Sequence, residues 1–391
     1  MVPEFFQFHS PVKIIYGFGI IDDLSVEFQA LQVERLFLLS DPALEKAGIL
    51  ERVRKGLQNA GLALTGEFLD IPQDSDVSVV RQAAAEARES GAQGLLAVGG
   101  GSVIDTAKAA NIVFTNGGDL IDDFSGAGIL EAPLNPLVVI PTTAGTGSEA
   151  TLAAVIYDRE TKTKLAFSDK YLLPHLAVLD PELTLTLPPA LTASTGMDAL
   201  THAIESTISI DWSPVSRALA FGAVEMIFAS LKRAVTDGSD LEARGAMLVA
   251  ANMAGIAFSH SMVGCVHSMA HATGGLYRVP HGTANAILLP YGMEYNFQEG
   301  KEVFSRLAPL MGVNTTGLGV DEAAQGAIDA VRNLVRDLGR LSSMPVRLRD
   351  AGVPEEGLEL IAEHALEDGS SIYNPREMEK EALLDFIRKA Y

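Results

Sequence analysis

The feature that most constrains the fold of this chain is the alternation, in its first half, of short apolar runs with amphipathic stretches. Apolar runs at Arg35 to Ser40, Gly94 to Val98 and Leu137 to Ile140 fit buried strands, and segments 42–60 and 75–90 have helical spacing. Strands separated by helices are typical of a parallel sheet with crossover helices. Such a sheet places ligand sites at the carboxyl ends of its strands.

The pattern changes after Leu187. Two prolines follow, and from Ala190 onward Ala, Leu, Met and charged residues recur at helical spacing, with few β-branched clusters. A chain of 391 residues is long enough to form two cores. We therefore predict a parallel-sheet α/β domain over residues 1–187 and an all-helical domain over residues 188–391, packed around a shared cleft.

Composition limits the class of protein. A formal net charge of −21 disfavours nucleic acid and anionic membranes as partners, although the charge can also serve only solubility. The single cysteine, Cys265, excludes an intrachain disulfide framework and fits a reducing cytoplasm. The first residues have no signal-peptide pattern, and the most apolar stretch, Gly245 to Phe258, is too short to span a membrane. We interpret that stretch as a buried helix.

A glycine-rich turn follows the run that ends at Val98. Gly99, Gly100, Gly101 and Ser102 precede a helical stretch, and small residues before a helix start allow a phosphate to approach free N–H groups. The turn predicts a pyrophosphate cradle. It matches neither G-x-G-x-x-G nor a P-loop, and a tight turn without a ligand is the alternative.

Two further features point to the same ligand. The polar loop from Pro141 to Glu149 follows the next apolar run, and neighbouring strand ends face one crevice. Asp41 ends the run at 35–40, where a carboxylate can bind ribose hydroxyls and repel a 2′-phosphate. This predicts NAD rather than NADP, and the alternative role for Asp41 is a helix N-cap.

The strongest signal lies in the second half. Asp198 and His202 are four residues apart, His267 and His271 repeat this spacing, and His281 follows after a loop. Residues at i and i+4 share one face of a helix, and imidazole with carboxylate suits Zn, Fe or Ni with coordination positions left open. We predict a catalytic metal site. The other histidines are interpreted as structural: His9, His175, His260 and His364. For His260, a position lining the cleft is the alternative.

With these residues in view, the chain resembles the iron-containing (group III) alcohol dehydrogenases over essentially its whole length. Five motifs carry the resemblance, in the family's order: GGGSVIDTAK from Gly99, PTTAGTGSE from Pro141, GMDALTHAIE from Gly196, HSMAH from His267 and PHGTANA from Pro280. The resemblance implies a dehydroquinate synthase-like architecture, with a dinucleotide-binding first domain and a helical, metal-binding second domain. It implies a metal-dependent oxidoreductase that transfers a hydride between a nicotinamide cofactor and a small alcohol/aldehyde or ketone pair.

The resemblance also implies roles for individual residues. Asp198, His202, His267 and His281 match the ligands of Fe(2+), for which Zn(2+) or another divalent metal can substitute, and His271 matches a histidine near the nicotinamide and substrate, a candidate proton relay. The cofactor contacts are predicted at Asp41, Gly99, Gly100, Gly101, Ser102, Asp105, Thr142, Thr143, Thr151, Lys164 and Leu183.

Substrate and assembly are less constrained. By the resemblance, Ala153 and Val263 lie near positions that line the family's substrate pocket, where their small side chains leave room for more than ethanol. The segment with Ser370, Tyr373 and Asn374 aligns with a variable part of the family near the substrate. We expect a cytoplasmic homodimer acting on a small alcohol or aldehyde. Glycerol dehydrogenase-like, dehydroquinate synthase-like and hydroxyacid transhydrogenase activities are alternatives, as is a metal-binding protein without catalysis.

Overall fold

A computed structural model of the chain describes residues 2–161 and 163–391, which form two compact units. The sheet unit comprises residues 9–143 and 147–186, and the helical unit comprises residues 187–391 with residues 144–146 and the N-terminal segment up to Phe8. In the described part of the chain, no helix has the length and hydropathy needed to cross a membrane. The assignment of a separate function to each domain stays a prediction.

The sheet unit is built on parallel strands. Within the described residues its main sheet has six strands in the order β1-β8-β5-β4-β2-β3, and all pairs are parallel. A separate antiparallel pair, β6 and β7, joins the same unit. The strands are β1 Lys13–Tyr16, β2 Arg35–Leu39, β3 Ala63–Phe68, β4 Gly94–Gly99, β5 Leu137–Pro141, β6 Ala153–Asp158, β7 Thr163–Ser168 and β8 Leu176–Leu179.

The central strands explain the apolar runs of the sequence. Every residue of β4 and β5 is buried, as expected of parallel strands covered on both faces by helices. The helices are α1 Ser25–Leu31, α2 Pro42–Lys46, α3 Ile49–Asn59, α4 Val77–Glu89, α5 Gly101–Asn116, α6 Leu120–Phe124, α7 Pro189–Ile208, α8 Pro214–Thr236, α9 Leu241–Ser259, α10 Cys265–Tyr277, α11 His281–Tyr295, α12 Phe297–Leu307, α13 Val320–Ser342, α14 Leu358–Glu367 and α15 Lys380–Ala390. The predicted fold class, a parallel sheet followed by a helical part, is confirmed.

The single helix predicted from Pro42 to Ala60 is two helices, α2 and α3. The helical pattern from Pro42 to Ala60 is interrupted because Gly48 adopts a left-handed φ of 76° between α2 and α3. Asp76 caps α4 by accepting hydrogen bonds from N–H groups in the first turn of that helix. The buried helix predicted over 245–258 forms the greater part of α9.

Helix α7 determines the chemistry of the helical unit. It is buried continuously from Gly196 to Ile208 and packs against α8, α9 and α11. When a helix is buried on all sides, each of its polar side chains needs a hydrogen-bond or ion-pair partner. Asp198, His202 and Glu205 are such side chains, each no more than 5% exposed.

Candidate metal and cofactor sites

The four predicted metal ligands meet in the helical unit. Asp198 and His202 lie one turn apart on α7, His267 lies in the first turn of α10, and His281 is the first residue of α11. One ligand atom from each lies within 4.8 Å of the others. Asp198 Oδ1 is 3.4 Å from Nε2 of His281 and 3.9 Å from Nε2 of His267.

Two glycines allow the helices to approach closely. A Cβ on Gly282, next to His281, would overlap the carbonyl of Ser194 on α7, and a Cβ on Gly292 would overlap Val266 on α10. The sequence thus brings α11 against both other ligand-bearing helices at positions where only a hydrogen atom fits.

The pKa values of the ligand groups are shifted by burial and by the ligands' own proximity. Burial opposes ionisation of Asp198, but the three neighbouring histidines lower its pKa below the usual value. Burial lowers the pKa of His202. Burial and the neighbouring His202 place the pKa of His267 well below the usual range. The buried Asp198 carboxylate therefore needs positive charge beside it, and a divalent cation would supply that charge while the imidazoles stay neutral.

The donor set fits a divalent metal. Within the described residues no lysine or arginine pairs with the buried Asp198; its ion-pair neighbours are histidines. A buried carboxylate without a cation is costly, and one oxygen with three imidazole nitrogens suits Fe(II), Zn(II) or Ni(II). Cys265, which is fully buried, is not part of the converging group.

Two buried side chains support the ligands from outside the set. Asn285 Nδ2 donates to Asp198 Oδ1 over 2.7 Å and lies 3.2 Å from Nε2 of His267 and 3.1 Å from Nε2 of His281. Glu205 Oε2 lies 2.6 Å from Nδ1 of His267. Burial raises the pKa of Glu205 to about 7, although backbone N–H groups of Gly264 and of the first turn of α10 oppose the shift.

His271 lies beside the ligand group but is not part of it. Its ring stacks on His281 with 5.1 Å between ring centres, and its Nδ1 lies 2.8 Å from Oδ2 of Asp368. Burial opposes ionisation of Asp368, but the bond to His271 lowers the Asp368 pKa below its usual value. If Nδ1 of His271 donates to Asp368, Nε2 keeps a lone pair for proton exchange.

The glycine turn has the geometry of an anion cradle. Gly99 ends β4, Gly100 caps α5, and α5 begins at Gly101, so the first N–H groups of a sixteen-residue helix face this turn. The second loop lies beside it, because Thr142 N donates to Gly99 O over 3.1 Å and a Cβ on Gly100 would lie 3.2 Å from Thr143. The structure thus brings the glycine turn beside Thr142 and Thr143, the part of the second loop that precedes residue 144 and lies in the sheet unit.

Two of the predicted cofactor residues have partners inside the protein. Asp105 accepts from the Ser148 hydroxyl and from Val155 N. Thr151 accepts from the ammonium of Lys108, whose Nζ is 2.6 Å from the Thr151 carbonyl oxygen and 2.9 Å from Thr151 Oγ1. Burial lowers the pKa of Lys108 to about 8 despite the nearby acids. This cluster ties the second loop to α5.

The other predicted contacts lie around the same edge. Asp41 caps α2, with Oδ1 accepting from the N–H groups of Ala43 and Leu44, so the N-cap role is present. Lys164 pairs with Asp74, whose own N–H donates to Ser102 Oγ over 3.2 Å. Leu183 is 2% exposed and packs in the core of the sheet unit, which leaves only its backbone to contact a ligand.

The sequence did not single out Glu205, Asn285, Asp368 or Lys108. Glu205 carried a signal, since an acid in the apolar segment 196–208 needs a buried partner. Asp368 carried none, because it lies 97 residues from His271. Of the histidines interpreted as structural, His175 accepts from Leu137 N, and His260 stacks on Phe8 within the helical unit.

Comparisons with known proteins identify the family. Residues 11–181 match the family described as iron-containing alcohol dehydrogenase, and residues 192–391 match the C-terminal part of the Fe-containing alcohol dehydrogenase family. The chain is 39% identical to 1,3-propanediol dehydrogenase of Klebsiella pneumoniae, over 99% of each chain. It is 36% identical to the NAD-dependent methanol dehydrogenase of Bacillus methanolicus, over 98% of this chain and 99% of the relative. The crystal structure of a 1,3-propanediol oxidoreductase has a TM-score of 0.95 and 39% identity, and the match covers 99% of this chain and 100% of that one.

The fold and the metal-binding group together define a metal-dependent oxidoreductase of alcohols and their carbonyl products. The chain belongs to the iron-containing alcohol dehydrogenase family, and the family resemblance found in the sequence is confirmed.

Proposed function

We propose that this chain is an NAD-dependent alcohol dehydrogenase that interconverts a small alcohol and its aldehyde or ketone. The observation that carries the proposal is the convergence of Asp198, His202, His267 and His281 in the helical unit. We assign these residues as ligands of Fe(2+), a site that Zn(2+) or Ni(2+) can also occupy. A divalent cation held there supplies Lewis-acid polarisation of the alcohol or carbonyl oxygen.

The chain's own residues bind the cofactor and transfer the substrate proton. The glycine turn and the N-terminus of α5 bind the pyrophosphate, and Asp41 binds the adenosine ribose. His271, held at Nδ1 by Asp368, exchanges the substrate proton through Nε2. The remaining predicted contacts, Asp105, Thr142, Thr143, Thr151, Lys164 and Leu183, line or support the same cofactor site.

The names of the relatives favour short-chain substrates. Methanol and 1,3-propanediol are named as substrates of two full-length relatives, so we propose a short alcohol or diol and the corresponding aldehyde for this chain. Location in the cytoplasm and assembly as a homodimer stay predictions.

The test combines metal removal with one variant. Protein stripped by a chelator should lose alcohol-dependent NADH formation, measured at 340 nm, and Fe(II) added without oxygen should restore it. His271→Ala should keep its metal but lose turnover by about 100-fold or more, because a general acid–base contributes that much. Full activity in a demonstrably metal-free preparation would overturn the proposal, and a metal-free His271→Ala protein would make His271 a ligand.

A further inference from the structure

Glu205 connects the two helices that carry three of the four ligands. It lies one turn beyond His202 on α7, is 2% exposed, and faces the first turn of α10. Its Oε2 lies 2.6 Å from Nδ1 of His267, and its Oε1 accepts from Val266 N over 2.8 Å. The carboxylate therefore contacts both the ring and the backbone of the segment that presents His267.

This contact determines which nitrogen of His267 faces the other ligands. The backbone N–H groups of Val266 and His267 donate to the two oxygens of Glu205 and favour its charged form, although burial opposes ionisation. In the charged form Oε2 can only accept, so Nδ1 of His267 carries the proton and Nε2 carries the lone pair. Nε2 is the atom that lies near Asp198 and Asn285. Metal-bound histidines generally donate their second N–H to a carboxylate or carbonyl, which fixes the ring and increases its basicity.

Close approach of Glu205 depends on Gly264, the residue before α10. A Cβ at Gly264 would lie 3.2 Å from Glu205 Oε1 and 2.7 Å from Oδ1 of Asn374. Asn374 Oδ1 in turn accepts from Cys265 N over 3.1 Å. Two buried side chains thus hold the same helix start, but of the two only Glu205 contacts the His267 ring.

We infer that Glu205 is a positioning residue for the metal site: it holds His267 in the tautomer and orientation in which Nε2 binds the cation. The inference rests on the proposed metal-binding function of the four ligands. It assigns to Glu205 a role in metal affinity, and to Asn374 a role only in the stability of the helix start.

Metal affinity provides the test, with Asn374→Ala as the matched control. Purified wild type, Glu205→Gln and Asn374→Ala are titrated with Co(II) against a chromophoric chelator, and the Co(II) absorption bands report the ligand geometry. Glu205→Gln should bind about 10- to 100-fold more weakly, because its amide cannot accept from both Nδ1 and the backbone. Asn374→Ala should unfold at a lower temperature and bind within about twofold of wild type.

The outcomes separate the inference from the proposed function. Wild-type affinity in Glu205→Gln, or equal losses in Glu205→Gln and Asn374→Ala, would overturn the positioning role alone. A wild-type protein that binds no Co(II), or a His281→Ala variant that binds as tightly as wild type, would overturn the metal site itself. If Glu205→Gln does not fold, Glu205→Asp replaces it: it keeps the charge, shortens the side chain by one methylene and should show a smaller loss in the same direction.

Discussion

At the scale of single residues, the carboxylate of Asp41 has two roles, the observed cap of α2 and the proposed contact with the ribose. Its Oδ1 accepts both hydrogen bonds of the N-cap, from Ala43 N at 2.8 Å and Leu44 N at 3.1 Å. The capping role and the proposed ribose contact are therefore compatible, since the cap uses one oxygen. The two roles can be separated by substitution, because Asn caps as well as Asp and Gly caps only slightly less well.

We predict that Asp41→Asn and Asp41→Gly both shift cofactor preference toward NADP, by at least about tenfold in the ratio of kcat/KM values. The reason is that each removes a negative charge that would repel a 2′-phosphate at short range. Thermal unfolding should change little in either variant. An unchanged NADP to NAD ratio in Asp41→Asn would show that the charge is not at the ribose.

The residue scale also shows what the sequence could predict. Asp198 and His202 were predictable because a four-residue spacing places two ligands on one helix face whatever the helix packs against. The carboxylate partners of His267 and His271 were not, because each comes from a different element, 62 and 97 residues away. Tertiary packing alone decides which acid meets which ring.

At the scale of elements, α11 must lie close to α7 for His281 to reach Asp198. Gly282 permits this, whereas a methyl group there would overlap the Ser194 carbonyl. Gly275, on α10, has open space around the corresponding position. These two helical glycines form a natural pair for substitution by alanine.

We predict that Gly282→Ala reduces metal content and lowers the unfolding temperature, because α11 has to move away from α7 and carries His281 with it. Gly275→Ala should keep its metal and be neutral or more stable, by up to about 1 kcal/mol, since Ala favours helix over Gly. Metal analysis and thermal unfolding of both proteins check this. Retention of full metal content in Gly282→Ala would contradict the close-packing argument.

Elements were predicted best where the pattern of apolar residues was strong. The buried central strands β4 and β5 appear as apolar runs, whereas the break between α2 and α3 depends on one backbone angle at Gly48. The short edge strand β1 and the β6–β7 pair had no comparable signal. β1 has only four residues, too few for a pattern to stand out. β8 is a buried apolar run of four residues that the sequence analysis did not single out.

At the scale of the whole molecule, a metal ion that binds only the folded protein contributes to its stability. At metal concentrations about 1,000-fold above Kd this contribution is about 4 kcal/mol. The ligands lie on α7, α10 and α11, so the ion would link three helices of the helical unit.

We therefore predict that chelation lowers the calorimetric unfolding temperature by about 10 °C, and that re-addition of Fe(II) or Zn(II) reverses the loss. His281→Ala, with one ligand missing, should respond much less to either treatment. Identical unfolding curves for chelated and metal-loaded wild type would mean that binding is too weak to matter for the fold.

The pairing of β1 with β8 has a consequence for the nascent chain. Lys13–Tyr16 pairs only with Leu176–Leu179, which follows every other strand of the main sheet in the sequence. At about 5–20 residues per second, a ribosome needs roughly ten to thirty seconds to make the intervening chain. β1 must wait that long, unpaired, while β2, β3 and β4 are already available to one another. This high contact order makes the first strand synthesised the last of its sheet to find a place.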